Sequence, residues 1–135
     1  MKLDELNVYQ ISMELGQRIW TVVSDWNYFE KDTIGKQMVR AMDSVAANLS
    51  EGYGRFHYRE ARQFGYYARG SLFEARTWLK KSIDRKLIEQ SEFDLIFGEM
   101  EQLGIKINNF IRSIGKSSGN QIDEDDAWYG HDSNQ

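Results

Sequence analysis

Arg40, Ser44, Asn48 and Glu51 recur at offsets of four, eight and eleven residues, with Asp43 at their edge, so on a helix they share one face. Guanidinium, hydroxyl, amide and carboxylate groups held together can bind a polar ligand or partner. They can also pair with one another and, through Arg55 or Arg69, lock their helix to the next one. Buried polar networks that are fully paired fix register, and this locking role is the one we expect.

Ser44 and Ser71 are the hydroxyls that could serve as nucleophiles, but neither has a histidine nearby in sequence. Lys or Asp would have to be brought up in space to activate them. The two histidines are His57 and His131, and His57-x-x-Glu60 stands alone, whereas a di-metal bundle needs a Glu-x-x-His pair from each of two helices. Gly52-x-Gly54 lacks the preceding strand and the further glycine of a dinucleotide fingerprint and reads as a turn. The absence of cysteine removes disulfides, thiolate metal sites and a thiol nucleophile. We therefore expect no enzyme, no catalytic residue, no metal site and no cofactor.

A second constellation is Arg59, Arg62, Tyr66, Arg69 and Phe73. At about 100° per residue, Tyr66 and Phe73 point roughly 160–180° away from Phe64, which belongs to the apolar seam of the same segment. A row of aromatics and arginines facing water suits a subunit interface, where Tyr, Phe and Arg are enriched. It also suits nucleic acid, with bases stacked on rings and arginines on phosphates. Charge favours the interface. Of the 21 acidic and 17 basic residues, five and one lie in residues 115–135, leaving sixteen of each sign in residues 1–114. The body is neutral and the tail acidic.

The elements that position these groups are helical. Proline is absent, so no segment carries the strongest helix breaker. Val8, Leu15, Ile19, Val22, Trp26 and Phe29 predict a first helix over about residues 4–29. After the polar break Glu30–Thr33, the stripe Ile34, Met38, Ala41, Val45 and Leu49 predicts a second helix stopping at Gly52, a residue suited to a left-handed helix end. A turn over GYGRFH leads to a third helix from Tyr58, with a narrow seam of Ala61, Phe64, Ala68, Ser71, Ala75, Trp78 and Ser82 that lets the second helix approach closely. Ser91 to Asp94 reads as a capping box opening a fourth helix, whose seam Phe93, Ile96, Met100, Leu103, Ile107, Phe110 and Ile114 has heptad spacing.

Short connections predict an all-α, antiparallel, up-down-up-down four-helix bundle over residues 1–114, followed by a flexible acidic tail over 115–135. In that tail DEDDAWYG offers acids to steer and Trp128 with Tyr129 to anchor, either on a partner or on the basic face of its own bundle; a solvated end is the plain alternative. The opening MKLDELNVYQ lacks the apolar run of a signal peptide, and no stretch reaches the roughly 18 apolar residues of a membrane span. A cytoplasmic protein that does not enter membranes is expected.

The run AMDSVAANLSEGYGRF, followed by Arg69-Gly70-Ser71 and Glu74, resembles the signature of the four-helix bundle proteins related to those encoded in intervening sequences of bacterial 23S ribosomal RNA genes, also called S23 ribosomal protein-like. The resemblance spans residues 5 to 114 and marks Asp43, Ser44, Asn48, Glu51, Gly52, Arg55, Arg69, Gly70, Ser71 and Glu74 as signature positions. It implies an antiparallel bundle that assembles into a homo-oligomer, with a ring-shaped pentamer the form known for such folds. It also implies a distant likeness to the accessory proteins of diversity-generating retroelements, which are strongly basic and bind nucleic acid and a reverse transcriptase. Together these readings lead us to expect a non-enzymatic, self-associating bundle that acts as a scaffold for an RNA or protein partner.

Overall fold

The computed structural model describes residues 2, 3 and 6–116. The expectations for the acidic tail and for His131 lie outside the described residues. Four helical rods make up the rest. Helix α1 is Asn7–Ser24. Helix α2 is continuous through three stretches, Tyr28–Glu30, a wider π turn at Lys31–Gly35, and Lys36–Tyr53. Helix α3 is Tyr58–Asp84 and α4 is Gln90–Ser113.

The polar stretch Glu30–Thr33, expected to separate two helices, lies inside α2. The Thr33 hydroxyl donates to the Phe29 carbonyl at 2.7 Å, and such back-bonding competes with the backbone ladder and loosens a turn without ending the helix. Gly35 closes the widened turn against α1, since a Cβ there would lie 2.7 Å from Val23 Cγ1. The first helix accordingly ends at Ser24, and Phe29, expected in its apolar stripe, is 74% exposed. Trp26 is half-buried in the connection and donates its indole N–H to the Leu87 carbonyl at 2.9 Å, tying the α1–α2 and α3–α4 connections together at one end of the bundle.

All five residues of the stripe predicted for the second helix are buried: Ile34, Met38, Ala41, Val45 and Leu49. Its end differs from expectation. Gly52 is helical and buried, and Gly54 follows in right-handed conformation. A Cβ on Gly52 would stand 2.9 Å from Phe64 Cβ and 3.0 Å from the Ala61 carbonyl oxygen. This glycine is therefore required by the close approach of α2 to α3 rather than by a left-handed turn.

On α3 the buried seam is rotated from the predicted one. Gly65, Ala68, Leu72, Ala75, Leu79 and Ser82 face the interior, while Ala61, Phe64, Ser71 and Trp78 are half-buried. With this rotation α3 packs against α2 on one side and α4 on the other. Gly65 seats Ile111 of α4, whose Cγ1 lies 2.7 Å from where a Cβ would be. Helix α4 buries Ile96, Met100, Leu103, Ile107 and Ile111, with Phe93, Phe110 and Ile114 at the edges of the seam. The expected capping box is not formed. Ser91 lies within the first turn, Glu89 is the cap residue without a side-chain bond, and Gln90 donates to Asp94 at 2.9 Å.

Contacts between neighbouring rods run in opposite directions. Gly16 meets Asp43 and Val23 approaches Gly35, so α1 and α2 are antiparallel. Gly52 meets Phe64 while Ser44 meets Ser71, which sets α2 against α3. Arg62 reaches Ile114 and Arg69 reaches Asn108, which sets α3 against α4. Arg18 pairs with Glu99 at 2.6 Å to close α4 onto α1. The core between the rods is filled by Leu15, Ile19, Met38, Met42, Leu49, Leu72, Leu79, Met100 and Leu103.

Candidate functional site

The signature polar residues do not converge on one site; the fold distributes them over its helix seams. Ser44 is the hub of the inner part. Its hydroxyl accepts from Ser71 Oγ at 2.9 Å and from Asn48 Nδ2 at 3.0 Å, and Asn48 also donates to the Ser44 carbonyl at 2.9 Å. One bond of this set, Ser71 to Ser44, joins α2 to α3; Arg69 and Arg55, expected to make the lock, bond to Asn108 and Glu51 instead. An amide and a second hydroxyl are the groups bonded to Ser44 here, and neither is a base that could activate it.

Arg55 serves the turn that follows. It donates to Glu51 at 2.5 Å, approaches Glu60 at 3.7 Å and lies over the Phe64 ring at 4.8 Å. Glu60, half of the His57-x-x-Glu60 pair, is thereby directed to Arg55, and His57 makes an edge contact with Phe56. Glu74 accepts from the Trp78 indole one turn on, at 3.0 Å. Arg40 is exposed on α2. Asp43 turns away from the lock toward α1, with Oδ1 2.8 Å from where a Cβ would stand on Gly16; the residue is exposed overall, but partial desolvation of the carboxyl against α1 pushes its pKa up.

The arginine and aromatic row of α3 is not the water-facing stripe that its spacing predicts. Arg62 is 4% exposed and donates to the Ile114 carbonyl at 2.7 Å, satisfying an end carbonyl of α4. Tyr66 is half-buried against the core, with the Arg69 guanidinium 4.8 Å over its ring. Arg69 itself donates to Asn108 on α4 at 3.0 Å. Arg59 and Phe73 are the members that remain exposed, Phe73 at 56%. The physical reason is the rotated seam, which turns this side of α3 into the border with α4.

Two surface grooves replace that single face. One, of about 410 Å³, lies between α1 and α2. Its floor is small, with Ser12, Gly16, Ala46 and Ala47, Asp43 stands in its wall, and Tyr9, Met13 and Trp20 rise along α1. Offsets of four and eleven residues place those three side chains on one helix face, and Met13 and Trp20 are 52% and 57% exposed. In the sequence they form a second apolar period beside the Val8–Ile19 stripe. The other groove, of about 260 Å³, lies between α3 and α4 and is bordered by Arg69, Phe73, Arg76, Ile105 and Asn108. Arg76 and Ile105 were also not singled out by spacing.

Among the described residues, no helix is long and apolar enough to cross a membrane. No curated protein matches the chain. A solved structure from Bacteroides thetaiotaomicron, described as a protein of unknown function from the S23 ribosomal protein family, superposes with a TM-score of 0.70. It is 19% identical and the match covers 77% of this chain and 97% of that one, a likeness of fold. The profile of the 23S rRNA-intervening sequence proteins matches residues 4–109, most of the 135-residue chain and all of α1 to α3. On that match, this chain belongs to the 23S rRNA-intervening sequence protein family.

Proposed function

We propose that the protein is a non-enzymatic, self-associating helical bundle that acts as a scaffold, and that copies meet through the groove between α1 and α2. The observation that carries this reading is the row of Tyr9, Met13 and Trp20 over a floor of small residues. Trp, Tyr and Met are the side chains that concentrate binding energy at the centres of protein interfaces, and small residues opposite them admit a neighbouring helix. The ring of five implied by the family resemblance is the expected assembly.

For the partner that the scaffold holds, a protein is favoured over RNA. The body carries equal numbers of basic and acidic residues, and phosphate binding draws its affinity from an excess of Lys and Arg. Of the three arginines in the α3 row, Arg62 is committed to the end of α4 and Arg69 to Asn108.

The test is the double substitution Met13→Glu and Trp20→Glu, both at exposed positions. The expected result is unchanged helicity with a solution mass falling to the 15.8 kDa of one chain. An oligomer of unaltered mass would overturn the assignment of this groove as the interface.

A further inference from the structure

The groove between α3 and α4 is built differently from the one on the opposite side. Phe73 and Ile105 form its apolar walls, each more than half exposed, and Leu72 and Gly104 line it with them. Arg69 and Arg76 stand on the α3 wall seven residues apart, which on a helix is about 10 Å. Both guanidiniums are held in place. Arg69 is fixed by Asn108 and the Tyr66 ring, and Arg76 lies 5.2 Å over Phe73 and 5.0 Å over Phe97. Lys80 lies 5.3 Å over the same Phe97 ring and extends the row of cations. The one carboxylate at the groove is Glu101, exposed and 3.9 Å from Arg76. With about 260 Å³, the space suits one aromatic side chain rather than a cofactor, whose pockets run to about 300–1,000 Å³.

The chain itself supplies a segment with the complementary chemistry. Asp123, Glu124, Asp125 and Asp126 are followed at once by Trp128 and Tyr129. Helix α4, which forms the other wall, ends at Ser113. Gly115, with φ +85°, takes the backbone off the helix line against Tyr58. From Gly115 back to Gly104 is eleven residues of helical rise, about 16 Å. From Lys116 to Trp128 is twelve residues, which can span up to about 40 Å. The segment therefore reaches the groove with length to spare.

We propose that Asp123–Tyr129 docks on its own bundle in the α3–α4 groove, with Trp128 between Phe73 and Ile105 and the acidic run along Arg69, Arg76 and Lys80. Pairing of charges around an aromatic anchor orients such a strap, and salt weakens it because the contacts are at the surface. Docking would cover Phe73 and Ile105 and leave the α1–α2 groove open to other copies.

The chain has no cysteine, so a nitroxide on Ser133→Cys reports from a single place beside the segment. In the full-length protein with isotope-labelled isoleucine methyls, the expected result is strong broadening of Ile105 and none of Ile11 or Ile34 on the far side. The broadening should vanish in Asp123→Asn/Glu124→Gln/Asp125→Asn/Asp126→Asn, which leaves the bundle untouched, and in Arg76→Gln. Broadening confined to Ile111 and Ile114, near the root of the segment, would overturn the proposal. So would broadening of Ile105 that survives neutralisation of the four acids. In a mixture of nitroxide-bearing, unlabelled chains with isotope-labelled chains lacking the nitroxide, Ile105 should stay sharp; broadening there would overturn docking on the same chain.

Discussion

Replacing Gly52 by alanine tests the claim that α2 and α3 are held at the limit of helix approach. The added Cβ would stand 2.9 Å from Phe64 Cβ and 3.0 Å from the Ala61 carbonyl oxygen. Both atoms are fixed to the α3 backbone, so no rotamer change relieves the clash and the helices must separate. Overpacking of this kind costs about 1–3 kcal/mol. The helix propensity gained on exchanging Gly for Ala returns about 1 kcal/mol. A net loss of about 1–2 kcal/mol is expected, the upper part of the balance, because the obstacles cannot move. Gly70 is the internal control. It is in the interior of α3, exposed, and a Cβ there meets nothing within 4 Å. Gly70→Ala should therefore stabilise by up to about 1 kcal/mol. Urea denaturation of the two variants at one protein concentration should separate them by about 1–3 kcal/mol, between about five-fold and a hundred-fold or more in the folding equilibrium. Equal stability of Gly52→Ala and Gly70→Ala would refute the close-approach argument.

Three further outcomes follow from particular contacts. Arg62→Met keeps the buried stem but loses the 2.7 Å bond to the Ile114 carbonyl; a loss of about 1–2 kcal/mol is expected, with faster amide exchange at the end of α4. Lys86, at φ 61°, occupies the left-handed position that ends α3, where Leu87 N–H bonds to Ser82 and Lys86 N–H to Ile83. Lys86→Gly should stabilise by about 1 kcal/mol in thermal unfolding. The raised Asp43 pKa means that the folded protein holds this proton more tightly than the unfolded chain does, so stability declines as pH rises from the ordinary value of 3.8 through the raised one. Asp43→Asn should remove that part of the decline, and the two proteins' urea midpoints should converge in acid and part as pH rises; parallel profiles would contradict the partial desolvation of this carboxyl in the groove wall.

The seams most readable in the sequence belong to α2 and α4, where the apolar residues at alternating three and four spacing are largely those the core buries. On α3 the spacing points to Phe64 and Trp78 rather than Leu72 and Leu79, because its buried face carries the small residues Gly65, Ala68, Ala75 and Ser82 and the large half-buried side chains beside it form a competing stripe. That error moved Arg62 and Tyr66 onto an apparent surface. The start of α2 was misplaced because Thr33 in a helix and Thr33 in a break look alike in sequence; the difference is its bond to Phe29. Spacing places Ser44 and Asn48 on one face, but it does not show that Ser71, which lies in the expected apolar seam of α3, rather than an arginine bonds to Ser44 across the helices. The Tyr9, Met13 and Trp20 row was passed over because an exposed apolar period is visible only once the buried one has been placed.

Light scattering of the purified wild-type protein, read with absorbance at 260 and 280 nm, tests self-association most directly. A single species at a fixed multiple of 15.8 kDa, free of nucleic acid, is the result this account predicts. A mass of one chain across the concentration range would contradict it.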